Sequence, residues 1–282
     1  IIPPSILMVV WGGLMTVSIG GLFLAGVIPG MLVALSQMIT VYVYAKIYDY
    51  PIYSRSSIKE AVIAILQATL PMMTPMIIVG GIVAGFFTPT EASVIAVIYS
   101  FILGLIIYRS ITIIQVPKIL YESARFAAIS LFCVGTASAF GWLLAYYKIP
   151  LALVEFLKQF GAGPISTGLL VASAFLFIGM FIDAIPAIII LGTVLWPMAQ
   201  FAGLHPIHFA IIGVISLAFG LVTPPYGLCL LISCAIGEVE LKKALKDVAI
   251  ILLPMLGVLM IVLLFPDLSL ALPRWLMPKF VN

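Results

Sequence analysis

The chain has 282 residues, 64% of them apolar and 8% charged, with 13 basic and 10 acidic side chains and a formal net charge of +3. Soluble domains carry roughly 25% charged residues, so this composition excludes a soluble enzyme and a disordered chain. The basic balance is also too thin for a nucleic-acid binder. The reading is an all-α polytopic membrane protein whose first partner is the lipid bilayer.

The chain opens on Ile1-Ile2-Pro3-Pro4, and Ile1 to Ala45 carry no charge. No basic leader with a cleavage site is present, and the segment reads as the C-terminal portion of a longer protein, begun inside a membrane element. A membrane helix needs about 20 mostly apolar residues. Expected spans in chain order are 22–45, 61–83, 92–108, 126–147, 166–182, 184–202 and 247–265. Two further stretches, 1–16 and 206–236, are apolar but interrupted by prolines. The breaks are read at 48–57, 109–125, 148–164, 204–208 and 237–247.

Basic residues set orientation. Lys46, Arg55, Lys59, Arg109, Lys118, Arg125, Lys242, Lys243 and Lys246 fall in three loops assigned to the inside. Lys148, Lys158, Arg274 and Lys279 fall in segments assigned to the outside. The alternation holds if 166–182 and 184–202 form one hairpin entering and leaving from the outer side. Two full crossings would leave the parity unchanged. The break Asp183-Ala184-Ile185-Pro186 has no room for a loop in water, which favours re-entry and places the C-terminus outside.

Two Pro-Pro pairs interrupt the apolar stretches: Ile2-Pro3-Pro4-Ser5, and Thr223-Pro224-Pro225-Tyr226-Gly227. Each precedes a short apolar half-span (Ile6–Trp11, closed by Gly12-Gly13, and Leu228–Ile236, closed by Gly237), then a long span. With the assigned topology the two half-spans run oppositely, as in inverted repeats whose broken helices form a midplane site; a plain proline kink is the alternative. Pro224 and Pro225 lack an N–H, so the carbonyls of Gly220 and Leu221 are expected to lose their helical donors. An unpaired carbonyl in hydrocarbon costs several kcal/mol, and hard cations take carbonyl and hydroxyl oxygens. Gly220, Leu221 and the Thr223 hydroxyl are therefore expected cation ligands, with the 179–183 segment (Gly179, Asp183) closing the shell. The N–H groups from Tyr226 onward are expected to favour an anion. The expected substrate-binding set is Ser5, Asp183, Ala184, Pro224, Pro225, Tyr226 and Gly227.

Asp183 reads as an intramembrane acid and so a functional candidate, as a hairpin-tip residue in water, or as a cap for the helix starting near Ala184. Glu91, after Thr88-Pro89-Thr90, reads as part of a helix cap with Thr88 or Thr90, a proton or cation site being the alternative. Gly81 and Gly85 are spaced for close helix packing. His205 and His208 flank Pro206 and read as part of an extracytoplasmic loop. Trp142, Trp196 and Trp275 read as interfacial belt residues, and Arg125 as snorkelling to the inner interface. No Lys or Arg lies mid-span. A carboxylate must then be met by helix N-termini, a bound cation, hydroxyls, or residues in the portion of the longer protein outside this segment. No nucleotide-binding G-x₄-G-K-[ST] loop occurs.

Gly80-Gly81-Ile82-Val83-Ala84-Gly85-Phe86-Phe87-Thr88-Pro89-Thr90-Glu91-Ala92 resembles the GG-x₃-G-x-FTPTEA stretch of the large membrane subunit of tripartite ATP-independent periplasmic (TRAP) transporters. Phe219 to Leu228 is similar to that family's IGLLTPPVGLN segment. Phe181-Ile182-Asp183 through Trp196-Pro197, His205 to Phe209, Ile2 to Ser5 and Ser18 to Gly26 match further family stretches. Departures are Tyr226 for a small apolar residue, Cys229 for Asn, and Ala184-Ile185-Pro186 for Thr-Thr-Ala.

The resemblance implies a Na⁺-driven importer of an organic acid, C4-dicarboxylate or sialic acid, with sialic acid expected on overall similarity. It implies an elevator mechanism, a small membrane subunit (separate or fused upstream) and a periplasmic substrate-binding protein, and no enzymatic activity. It divides the chain into the end of a broken helix (1–16), a span with its inner loop (17–60), scaffold-type helices (61–165), a re-entrant hairpin (166–204), a second broken helix (205–237) and a last span with the tail (238–282). A stand-alone cation-coupled anion carrier and a structural or channel subunit are the alternatives.

Overall fold

The computed structural model describes residues 1–51, 57–161 and 163–278, without the side chain of Phe160. Arg55 and Lys279, both used in the charge reading, lie outside the described residues. The described chain is helical: α1 Ile6–Met15, α2 Ile19–Ile47, α3 Ile58–Val83, α4 Pro89–Ile102 (continued by a π turn to Ile107), a short 3₁₀ turn Ile113–Gln115, α5 Val116–Tyr146, α6 Ile149–Phe160, α7 Pro164–Gly179, α8 Ala184–Phe201, α9 Pro206–Gly220, α10 Leu228–Ile236, α11 Leu241–Leu264 and α12 Asp267–Leu276. Among the described residues six helices are long and apolar enough to cross a membrane, and α1, α7 and α9 are shorter apolar helices. This is an all-α polytopic membrane protein.

The chain divides into two compact units, residues 1–42 with 130–282, and residues 43–129. In the second unit α3 packs against α4. Ser57 and Glu60 form a capping box at the start of α3, and Thr88 and Glu91 form one at the start of α4. Glu91 Oε2 accepts from the Thr88 N–H and hydroxyl at 2.8 Å each, so its role is that of a cap. Pro71, inside α3, frees the carbonyl of Gln67 four residues back. The Tyr108 hydroxyl donates to that carbonyl at 3.4 Å.

The first unit holds the densest packing. Trp11, Phe23, Phe175, Phe209 and Phe219 are fully buried. The Trp11 ring lies 5.4 Å from Phe175 and 5.3 Å from Phe209, tying α1 to α7 and α9. Helix α1 folds back along α2, where a side chain on Gly26 would meet Met8 and the Ile1 carbonyl. The expected turn at Gly12-Gly13 is corrected: α1 runs through both glycines to Met15, and the chain turns at Thr16, whose φ is 53°.

Two helices lie where loops were read. The stretch 148–164 contains α6, held to the C-terminal end of α8 by Lys158 5.2 Å over the Phe201 ring. The tail contains α12. The break read at 109–125 is shorter than expected, since α5 begins at Val116, placing Arg125 well inside a helix.

Candidate functional site

The registers of four helices bring their ends together. Helices α7 and α9 run side by side in the same direction: a Cβ on Gly168 would lie 3.7 Å from Leu204, one on Gly213 3.2 Å from Phe175, and one on Gly179 3.3 Å from the Gly220 Cα. Helix α1 runs the opposite way. Its Trp11 packs on Phe209, and Met15, farther along, lines a small cavity with Pro206 at the start of α9. Helix α8 runs with α1, its Gly192 opposite Met15 and its Trp196 ring 5.3 Å from Phe209. The C-terminal ends of α7 and α9 and the N-terminal ends of α1 and α8 therefore share one end of the bundle. Helix C-termini carry partial negative charge and N-termini partial positive charge. Ser5, the 179–184 turn and the 220–227 break all lie at this end.

The seven residues between α9 and α10 are non-helical, as the two prolines require. The inference that the Gly220 and Leu221 carbonyls are stranded is corrected. Gly220 O accepts from the Thr223 N–H at 2.9 Å, because the chain tightens into a four-residue turn. Leu221 O accepts from the Cys229 N–H at 3.0 Å, because the first turn of α10 folds back over the break. The carbonyls that accept no backbone hydrogen bond among the described residues are those of Val222, Thr223, Pro224, Pro225 and Tyr226. Thr223 Oγ1 donates to the Phe219 carbonyl at 2.6 Å, leaving its lone pairs for another partner.

The expectation of a run of open N–H groups from Tyr226 onward is corrected too. The Gly227 N–H donates to the Met180 carbonyl at 3.3 Å and that of Cys229 to Leu221, so two of these donors hold the break in place. Tyr226 is 52% exposed, while Gly227 is buried at φ 41°.

On the hairpin side, Asp183 sits at the N-cap of α8 with φ −64° and ψ 155°, but its exposed side chain makes no capping hydrogen bond. Ala184 is 2% exposed, which leaves its backbone rather than its methyl to face the gap. Pro186 has no N–H for the Ile182 carbonyl. The carbonyls of Gly179, Phe181 and Ile182 accept no backbone bond among the described residues. Ser5 is the N-cap of α1 and likewise makes no side-chain cap bond. Unpaired carbonyls on both faces, with one threonine hydroxyl, form a donor set suited to a hard monovalent cation. Among the described residues no group of three His, Cys, Asp or Glu converges as a transition-metal site would need.

Other expected residues are reassigned. His205 caps α9, its Nδ1 accepting from the Ile207 N–H at 3.2 Å. His208 is 3% exposed and lies inside α9, its Nδ1 2.8 Å from Ser269 Oγ on α12, so it is a core residue rather than part of a loop. Trp196 packs on Phe209, while Trp142 and Trp275 are exposed. Gly81 does not serve helix packing: a side chain there would strike the Phe87 ring, and Gly85 turns the chain at φ 76°.

A family model described as "Tripartite ATP-independent periplasmic transporter, DctM component" matches residues 1–268. The chain belongs to this family, as a large membrane subunit. It is 36% identical over 276 residues to a C4-dicarboxylate TRAP transporter large permease protein of Pseudomonas aeruginosa, covering 98% of this chain and 65% of that one. It is 33% identical over 274 residues to a sialic acid TRAP transporter large permease protein of Vibrio cholerae, covering 97% and 64%. It is 36% identical over 283 residues to an uncharacterized protein of Salmonella typhimurium, covering 99% and 64%. The chain thus spans 64–65% of the length of these relatives. The family consists of transport proteins rather than enzymes, and membership together with the apolar helices makes this a multi-pass protein of the bacterial inner membrane.

Proposed function

We propose that this TRAP large subunit carries an organic acid inward together with Na⁺, through the gap where the ends of α1, α7, α8 and α9 meet. The observation that carries the reading is that convergence of two helix N-termini with two C-termini and two stretches of unpaired backbone. The N-terminal ends of α1 and α8 favour the substrate carboxylate. The stranded carbonyls of the 222–226 break and of the hairpin turn, with Thr223 Oγ1, favour Na⁺. Asp183 stands beside both. No Lys or Arg occurs between Lys158 and Lys242, so the positive charge that this stretch offers an anion in the gap comes from the bound cation and the helix dipoles. Coupling follows from electrostatics, since the cation offsets the carboxylate's charge and the carboxylate that of the cation.

The substrate proposed is an organic acid of the C4-dicarboxylate or sialic acid kind, the two named for the Pseudomonas and Vibrio relatives. Capture by a periplasmic binding protein, a small membrane subunit as companion, an elevator movement and a periplasmic C-terminus complete the proposal. Helix α7, with 16 residues, is about 24 Å long at 1.5 Å per residue, short of the ~30 Å hydrocarbon core, which supports a hairpin that re-enters.

The test is uptake of radiolabelled succinate and sialic acid into proteoliposomes holding the full-length membrane component. Uptake is expected only with an inward Na⁺ gradient and the cognate binding protein. Equal uptake without that protein would favour a stand-alone carrier.

A further inference from the structure

The chain after α4 turns back on itself and leaves a cleft. Arg109 takes a left-handed conformation with φ 51°, and the Ile111 N–H donates to the Gly104 carbonyl at 3.2 Å. Ile111 seats on Gly104 itself, since a Cβ there would stand 2.9 Å from Ile111 Cδ1. The chain is thereby pinned to the end of α4 before α5 starts at Val116. Between α4 and the first turns of α5 lies a cavity of about 570 Å³, lined wholly from the unit of residues 43–129. Helix α4 lines it with Ser93, Val97 and Phe101, the returning chain with Ile111, and α5 with Ile119 and Ser123. The walls are almost entirely apolar, and Ser93 Oγ is turned onto its own helix, donating to the Thr90 carbonyl at 2.7 Å.

The level of the cleft in the membrane follows from α5. Residues 126–146 carry no charge, and a helix of that length rises about 32 Å, enough to cross the ~30 Å hydrocarbon core. The charged first turns of α5 therefore lie at headgroup level. The stretch 109–125 holds Arg109, Lys118 and Arg125 against the single acid Glu122. Each of the three cations is within two residues of a cleft-lining residue: Ile111, Ile119 or Ser123. Lys118 shares its charge with Glu122, 4.0 Å away. Among the described residues Arg109 and Arg125 make no ion pair, and both are exposed.

A groove open to lipid fills with an acyl chain whatever its sequence, because a void forfeits contacts on every wall. The cations decide which head that chain carries. Basic pockets beside membrane helices hold anionic headgroups, each Lys or Arg near the surface adding about fivefold to the affinity. Arginine suits phosphate in particular, through paired N–H donors. A protein helix laid in the same groove would have to bring acids to meet two guanidinium groups or bury them unpaired.

We propose that the cleft between α4 and α5 binds an anionic glycerophospholipid, one acyl chain lying along α4 and the phosphate held by Arg109 and Arg125. The leaflet is the one faced by the 109–125 loop, on the side that the basic residues assign to the inside. The bound lipid fills the space that keeps the first turns of α5 apart from α4, and so becomes part of the packing of this unit.

The test uses the full-length membrane component in mild detergent. Phosphatidylglycerol and phosphatidylethanolamine with identical acyl chains are titrated in, and binding is read by native mass spectrometry. Phosphatidylglycerol is expected to bind about tenfold more tightly or better. Arg109→Asn combined with Arg125→Gln, asparagine being tolerated at positive φ, should bring the two lipids within about twofold of each other. Equal binding of both lipids by the parent, or a preference that survives in the neutral variant, would overturn the proposal. On the unaltered protein, phosphatidylglycerol with a photoactivatable acyl chain should give adducts in peptides covering 93–101 and 119–123. Adducts confined to other helices would reject the site and show that protein, not lipid, covers the cleft.

Discussion

Gly220 rests on Gly179 with backbone against backbone, and each is glycine because the other helix occupies the space a side chain would need. Gly220→Ala forces its methyl to within 2.8 Å of the Gly179 Cα and carbonyl carbon, where nothing flexible can yield. Overpacking of this sort costs about 1–3 kcal/mol, so the melting temperature in detergent should fall by several degrees. Gly257→Ala, on α11 with nothing within 4 Å of the new methyl, is the control and should lose nothing. Equal melting of the two variants would mean that α7 and α9 do not meet at these glycines.

That crossing was only half legible in the sequence. The break at Pro224-Pro225 followed from chemistry local to the chain, because a proline has no N–H wherever it sits. The fate of the carbonyls it affects did not follow. Leu221 O is satisfied by Cys229 eight residues later, and Met180 O by Gly227 from another element. His208 looked like loop because it is polar and beside a proline, while its partner Ser269 lies 61 residues away. Helix α6 was hidden because Glu155 and Lys158 lower the apolar count of a 12-residue stretch that buries one face against α8. Glu91 was read correctly, since a capping box is written within four consecutive residues.

The pairing of His208 with Ser269 ties α12 to α9. Ser269 Oγ also reaches the Pro266 carbonyl at 2.9 Å, so Ser269→Ala removes a bridge and leaves the buried imidazole without its partner on α12. A buried polar group stranded in this way costs about 1–3 kcal/mol. The variant should melt lower, and protease should cut near α12 sooner than in the parent. His208→Leu together with Ser269→Ala should recover part of the loss, because neither polar group then remains unpaired. Additive losses in the double variant would show that the two side chains act independently.

Gly227 carries a second constraint. At φ 41° it occupies the left-handed region, and a Cβ would lie 2.9 Å from the Thr223 carbonyl oxygen. Gly227→Ala therefore displaces a carbonyl of the proposed cation shell and weakens the amide bond to Met180. Na⁺-dependent uptake should fall at least tenfold at fixed Na⁺, with part of it recovered as Na⁺ is raised. A variant that expresses normally and keeps the parent's Na⁺ dependence would place the cation away from this break.

Thr223 offers the sharpest test of the cation's position, because its hydroxyl is the one side-chain oxygen supplied by the break apart from the exposed phenol of Tyr226. The hydroxyl donates to the Phe219 carbonyl at 2.6 Å and so presents its lone pairs outward in a fixed direction. Thr223→Ala removes that ligand without disturbing the backbone carbonyls on either side, whereas Thr223→Ser keeps it. If one oxygen ligand is worth ~1.4 kcal/mol, the alanine variant should need about tenfold more Na⁺ for half-maximal uptake. The serine variant should stay within about twofold on the same scale. Loss of the Phe219 bond alone would lower the melting temperature of the alanine variant without moving the Na⁺ requirement. The two effects therefore separate when melting and Na⁺ titration are read on the same preparation. An unchanged Na⁺ requirement in a normally expressed alanine variant would remove Thr223 from the cation shell and leave it a helix-end residue only.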